Sequence, residues 1–225
     1  MVPYVFLAIA VLITTIFIIV DYKGEPKKAL VMKTLASIGF VSVAISAFIY
    51  GNGDGEYFKF ILCGLILGLI GDVALALRAV YEEKKDKYFI IGLGAFLLGH
   101  IAYTIEFAKI SSINLIEIII AAIIVTIFVI FGKLVKLQYG NMKPFVIGYM
   151  CVISIMVVKA VSIAITIGIS EANMLIAVGA ILFAISDMIL AFIYFWNRKV
   201  KVLSPLNLIT YYGGQLLIAL SILFR

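Results

Sequence analysis

Charge is scarce in this chain of 225 residues: 12 acidic and 18 basic side chains make up 13% of it. A soluble domain carries about a quarter charged residues, so a water-exposed globular fold is excluded. Cysteine is nearly absent. Cys63 and Cys151 both sit inside apolar runs, which rules out a disulfide framework or a cysteine metal site. There is no Gly-x-Ser-x-Gly, no His-Glu-x-x-His and no phosphate-binding glycine loop, so serine-nucleophile chemistry and zinc hydrolysis lack support. The net charge of +6 would suggest nucleic acid in a soluble protein. Here the basic residues fall between apolar runs, where membrane topology accounts for them and no nucleic-acid partner is needed.

What remains is apolar: 65% of the residues are hydrophobic, and mean hydropathy is +1.23. Apolar runs lie at 4–21, 29–50, 57–79, 88–108, 113–131, 145–168, 171–196 and 206–224. Each is long enough to cross a bilayer, which takes roughly 20 residues. In lipid the backbone must satisfy its own hydrogen bonds, so runs of this length are helices. The chain is therefore expected to be all-α: eight transmembrane helices forming one domain over residues 1–225, multi-pass in the cell membrane. The first run lacks a preceding basic region and a small-residue cleavage site, and reads as a retained span. Pro26, Pro144 and Pro205 stand near helix starts, where a missing N–H costs least. Gly51-Asn52-Gly53-Asp54-Gly55 reads as a turn.

Orientation follows from Lys and Arg. The loops after spans one, three, five and seven hold Lys23, Lys27 and Lys28; Arg78, Lys84, Lys85 and Lys87; Lys133, Lys136 and Lys143; and Arg198, Lys199 and Lys201. The other side holds only Lys59, Lys109 and Arg225. The positive-inside rule places the basic loops in the cytoplasm and both termini outside.

An internal echo is present. Gly71-Asp72-Val73-Ala74-Leu75-Ala76 in span three resembles Ser186-Asp187-Met188-Ile189-Leu190-Ala191 in span seven. The offset from Asp72 to His100 in span four equals that from Asp187 to Gln215 in span eight. The echo predicts two four-helix halves in parallel orientation, a known membrane repeat plan.

Ionisable residues inside spans are functional candidates, because burying them in hydrocarbon costs several kcal/mol. This chain has Lys33, Asp72, His100, Lys159 and Asp187 in such positions, with Glu106 and Glu117 near outer helix ends within reach of the interface. Asp72 lies ~12 Å from the cytoplasmic end of its span and Asp187 at a comparable depth, and His100 is ~18 Å into its own. Tyr103 shares a face with His100, and Tyr211 shares one with Gln215. These groups are expected to meet in one polar cavity in the cytoplasmic half. Two carboxyl groups in a low-dielectric site suit acid/base chemistry, one protonated and the other ionised. Lys33 can balance charge or hold a phosphate.

Structural readings stand beside these. The aspartates can bond Tyr or Ser across helices, His100 can be a structural hydrogen-bonder, and Lys33 can snorkel to the interface. Lys159 reads as a buried structural partner. Gly64, Gly68 and Gly71 read as packing positions.

Taken together, the motifs resemble the YhhN family, which includes the lysoplasmalogenases of animals and bacteria. The resemblance is carried by Lys33, by Gly71-Asp72-Val73-Ala74-Leu75, and by Phe96-Leu97-Leu98-Gly99-His100-Ile101-Ala102-Tyr103. It continues through Tyr149, Met156, Gly179-Ala180-Ile181-Leu182-Phe183-Ala184-Ile185-Ser186-Asp187 and Tyr211-Tyr212-Gly213-Gly214-Gln215. Thr34 departs from it, since the family usually has proline after the lysine. The resemblance implies eight spans and hydrolysis of the vinyl ether bond of lysoplasmalogens to a fatty aldehyde and glycerophosphoethanolamine or glycerophosphocholine. The substrate would be a lysophospholipid drawn from the bilayer, and no metal or organic cofactor is implied. Asp72 and Asp187 would be the catalytic acid and base, in either order. His100, Tyr103, Ser186, Tyr211, Tyr212 and Gln215 would shape the substrate site, and Lys33 would meet the phosphate. Intramembrane carboxylates and a parallel repeat equally suit a proton-coupled transporter, which is the alternative reading.

Overall fold

A computed structural model describes residues 1–51 and 53–225; Asn52, within the expected Gly51–Gly55 turn, lies outside the described residues. Among the described residues the chain forms eight long helices: α1 (Val2–Tyr22), α2 (Pro26–Tyr50), α3 (Gly55–Val80), α4 (Lys85–Ile110), α5 (Leu115–Leu134), α6 (Lys143–Thr166), α7 (Glu171–Phe195) and α8 (Leu203–Leu220). Every apolar run becomes one helix, and all eight are long and apolar enough to cross a membrane. Local signals set the ends. Pro26 is the first residue of α2. Asp54 caps α3 by accepting from the Glu56 N–H at 2.8 Å. Asn114 and Glu117 form a reciprocal capping box at the start of α5.

The outward faces are aliphatic. Ile116, Ile119, Ile123, Ile127 and Ile130 of α5 are each at least half exposed. In water such a surface would drive association; in a bilayer it meets acyl chains.

The core is assembled from two similar halves. The most extensive helix pairs are α3 with α4 and α7 with α8, and each is drawn together by a pair of glycines. A Cβ on Gly99 would lie 3.1 Å from the Gly64 carbonyl oxygen, and one on Gly214 would lie 2.7 Å from that of Gly179. Gly64 and Gly99 stand at the same offset from Gly179 and Gly214 that relates Asp72 to Asp187. Small residues let helix backbones approach closely where lipid offers no competing hydrophobic force. The expected packing role of Gly64, Gly68 and Gly71 follows the same logic: a Cβ on any of them would fall within 2.7 Å of Tyr103, Gln215 or Phe96.

The halves are joined crosswise, α2 against α8 and α4 against α6. They differ at the periphery. Helix α1 packs on both α2 and α8, whereas α5 packs mainly on α6 and meets α7 through the edge-on Phe131–Phe192 pair, ring centres 6.0 Å apart.

Two expectations need correction. Glu106 and Glu117 do not reach the interface; they are only 4% and 6% exposed. Glu106 lies 3.4 Å from Lys109. Glu117 meets Lys159 at 3.0 Å, and Lys159 also donates to the Ser112 carbonyl at 3.0 Å. The first turn of α5 and the C-terminal part of α6 hold a buried ion pair because neither charge could stay in lipid unpaired. Lys159 is thus a structural partner, as its sequence context indicated.

Candidate active site

The two aspartates enter the core from equivalent positions on α3 and α7, but they do not share one polar cavity as expected. Each has its own cluster of partners.

Asp72 is 1% exposed and its carboxylate is fully engaged. Oδ2 accepts from Ser37 Oγ at 2.6 Å, from Tyr211 OH at 2.8 Å and, at the limit, from Tyr212 OH at 3.5 Å. Oδ1 lies 3.2 Å from Lys33 Nζ. Lys33 and Ser37 are one turn apart on α2, so one helix face supplies the counter-charge and a hydroxyl. From Tyr211 the hydrogen bonds continue: Gln215 Nε2 donates to Tyr211 OH at 3.3 Å, and Tyr103 OH donates to Gln215 Oε1 at 2.9 Å. Phe17 of α1 packs edge-on against Tyr212 with ring centres 5.8 Å apart, closing this cluster from the side.

Asp187 is less enclosed, its side chain 16% exposed. Tyr149 of α6 donates to its Oδ2 at 2.5 Å. The same hydroxyl lies 2.9 Å from His100 Nε2, and His100 Nδ1 is 3.2 Å from Met156 Sδ. His100 itself is 1% exposed and 3.9 Å from Asp187 through the same nitrogen.

The echo foresaw that His100 and Gln215 are equivalent. The structure adds that they are exchanged. His100 of α4 serves the aspartate of the second half, and Tyr211 and Gln215 of α8 serve the aspartate of the first. Phe183 bridges the clusters, 4.5 Å from the His100 ring and 5.2 Å from Tyr211. The crevice beside it, between His100 and Gln215, is too narrow for a water molecule.

Ser186, adjacent to Asp187, points elsewhere: its Oγ and its carbonyl accept from Asn207 Nδ2 at 2.9 and 2.7 Å, tying α7 to α8. Three residues were missed as site candidates. Tyr149 is among the residues that carry the family resemblance, but no role was assigned to it. Ser37 had a usable signal, lying one turn from Lys33. Asn207 had a signal as a polar residue inside span eight.

Access separates the aspartates further. An apolar groove of about 120 Å³ runs between α5, α6 and α7. Ile124, Phe128, Ile153, Val157 and Phe192 line it, and Asp187 and Tyr149 form part of its inner wall. A second cavity, toward α3 and α4, is lined by Phe89, Phe96 and Tyr194 and reaches the same Asp187 and Tyr149. Among the described residues no cluster of three or more His, Cys, Asp or Glu side chains could hold a metal ion.

The structure is thus an eight-helix membrane bundle that keeps a carboxyl, a phenol and an imidazole in contact beside an apolar groove. Residues 28–222 match the family model described as the YhhN family, and the chain belongs to that family. No curated protein and no solved structure gives a significant match.

Proposed function

We propose that this protein is a lysoplasmalogenase-type ether hydrolase and that Asp187 is the group that meets the vinyl ether. The observation that carries the reading is the position of Asp187. Its carboxyl lies on the wall of an apolar groove of about 120 Å³, and it is hydrogen-bonded to Tyr149, which touches His100.

A vinyl ether is stable to base and labile to acid. A protonated Asp187 delivers its proton to the alkene carbon remote from oxygen, which bears the alkyl chain, leaving an oxocarbenium ion on the carbon attached to oxygen. Water adds to that carbon and gives up a proton to the Asp187 carboxylate, which restores the acid. The hemiacetal then breaks its bond to the glycerol oxygen, which takes the hydroxyl proton, and the aldehyde leaves. One water is consumed and the carboxyl ends as it began. Asp72, held by Lys33 and three hydroxyls, acts as the second, charged carboxylate. Its bond from Tyr211, which Gln215 also holds, fixes the aromatic layer next to the reacting group, a positioning role rather than proton transfer.

Purified protein in detergent, incubated with vinyl-ether and ester lysolipids, tests this. Fatty aldehyde released from the vinyl ether alone is the expected result, and Asp187→Asn abolishes it. Absence of aldehyde, together with substrate flux in sealed vesicles, would favour the proton-coupled transporter instead.

A further inference from the structure

The apolar groove does not end at Asp187. Toward the basic loops it runs on into a second space of about 270 Å³, and the two share Leu137, Tyr139, Val146 and Met150. This mouth is lined by Lys133, Gln138, Gly140 and Lys143. Neither lysine has a carboxylate partner among the described residues. Lys33, by contrast, is committed to Asp72.

The loop forming the mouth is firmly built. Helix α5 ends in a double reverse bond: Lys136 N–H donates to the Lys133 carbonyl at 3.2 Å and Leu137 N–H to that of Gly132 at 2.9 Å. This is the Schellman arrangement, which usually has glycine where Lys136 stands, because the position needs a positive φ. Lys136 has φ 61°. A lysine therefore stands at a position where glycine is easier, and it adds a positive charge to the loop beside the mouth. The Gln138 N–H then donates to the Phe195 carbonyl at 2.8 Å, and Tyr139 packs on Phe195 with ring centres 4.9 Å apart. The loop is thus pinned to the end of α7.

We infer that this mouth is the seat of the substrate's phosphate, with Lys133 and Lys143 as its cationic contacts and the α5–α7 groove holding the alkyl chain. The assignment rests on the lysophospholipid reading above and replaces Lys33 as the phosphate contact. Dimensions agree. Lys143 precedes Tyr149 by six residues on α6, a rise of ~9 Å. The vinyl-ether oxygen and the phosphorus of a lysophospholipid are five bonds apart, ~6 Å when extended, and a lysine side chain spans the remainder. On the other side of Tyr149 the groove continues to Val157, a further ~12 Å, where the rest of the alkyl chain passes into the bilayer. The arrangement sets head group, scissile bond and chain in line along one helix.

The test compares three ligands on the full-length protein in uncharged detergent. Lysoplasmenylethanolamine reports kcat and KM. A 1-O-alkyl lysophosphatidylethanolamine, which lacks the alkene and is not cleaved, reports Kd. A 1-O-alkylglycerol lacks the phosphate. In the Lys133→Gln/Lys143→Gln double variant, Kd for the alkyl lysolipid and KM for the substrate should rise about tenfold or more, the scale of a lost charge-assisted contact. Alkylglycerol binding should stay within twofold, and Lys133→Arg/Lys143→Arg should restore the lysolipid. Lys84→Gln/Lys85→Gln, in another basic loop, controls for net charge. Unchanged lysolipid binding in the double variant would overturn the seat even if aldehyde is still produced. So would an equal loss in the control, a shift produced by Arg78→Gln instead, or inorganic phosphate binding as tightly as the lysolipid. Conversely, lysine-dependent binding of the alkyl lipid with no aldehyde from the vinyl ether would keep the seat and sink the reaction.

Discussion

Tyr149 joins His100 to Asp187 through a single hydroxyl, 2.9 Å from the imidazole Nε2 and 2.5 Å from the carboxyl Oδ2. A hydroxyl has one proton to give. When Tyr149 donates to an ionised Asp187, His100 must donate through Nε2. When Asp187 carries the proton, it can donate to Tyr149, Tyr149 donates to Nε2, and Nδ1–H turns to Met156 Sδ at 3.2 Å. The protonation state of the carboxyl and the tautomer of the imidazole are therefore linked across three helices.

Tyr149→Phe breaks that link and leaves the ring in place. Under the proposed reaction the variant should lose kcat by about 10²-fold, within the usual range for a proton-handling group, with KM little changed. Its melting temperature in detergent should stay close to that of the parent. Asp187→Asn should lose more, to background, because the amide has no acidic proton to give. Parental aldehyde release from either variant would remove that residue from the reaction.

Asp72 presents the opposite case. Replacing it by Asn leaves Lys33 facing a neutral group in a mostly buried site. Removing one member of a buried pair costs roughly 3–5 kcal/mol, reduced here to the extent that Lys33 can snorkel outward. Asp72→Asn should therefore lower the melting temperature markedly, and Asp72→Asn/Lys33→Met should recover much of the loss. Activity should follow stability more closely for Asp72 than for Asp187. Thermal melts of the two aspartate variants side by side make the distinction.

Much of this was legible in the sequence, and the remainder fails for identifiable reasons. Hydrophobic run length set the eight helices, because a spanning helix announces itself by composition alone. The matched offset announced the relation between α3–α4 and α7–α8, and the glycine pairs Gly64–Gly99 and Gly179–Gly214 extend it. What sequence does not give is which helices touch across the halves. Depth alone put Asp72, Asp187 and His100 in one cavity, yet His100 faces Asp187 of the other half and Asp72 has its own cluster. Tyr149 carried the family resemblance without a role, because a tyrosine in an apolar run shows no function until its hydroxyl has two partners. Glu117 looked interfacial because it lies in a first helical turn, where acidic residues are common. Its burial depends on Lys159, 42 positions away.

That pair gives a stability prediction free of any assumption about activity. Lys159→Met leaves Glu117 buried without a cation and should destabilise the protein by roughly 3 kcal/mol. Lys159→Met/Glu117→Leu should come close to neutral, since two apolar groups of similar size can replace a buried pair. The capping box complicates the double variant, because the Glu117 side chain also accepts from the Asn114 N–H at 2.9 Å. Lys159→Met/Glu117→Gln, which keeps an acceptor there, should therefore be the more stable of the two doubles. Chemical or thermal unfolding in one detergent ranks the three.

The glycines offer a sharper contrast, because helical propensity and packing pull in opposite directions. Gly→Ala in a helix interior gains about 0.5–1 kcal/mol when nothing stands in the way. Gly94 in α4 and Gly148 in α6 have open space where a Cβ would lie, so Gly94→Ala and Gly148→Ala should leave stability unchanged or slightly higher. At Gly64 the same methyl would fall 2.2 Å from the Tyr103 ring, and at Gly214 it would fall 2.7 Å from the Gly179 carbonyl. The aromatic ring can move only by giving up its bond to Gln215, and the carbonyl belongs to a helix backbone. Gly214→Ala should therefore push α8 from α7 and cost about 1–3 kcal/mol, the usual range for overpacking. Gly64→Ala should also loosen the Tyr103–Gln215–Tyr211 chain that ends on Asp72. Equal melting temperatures for all four variants would mean that these helix pairs do not depend on close backbone contact.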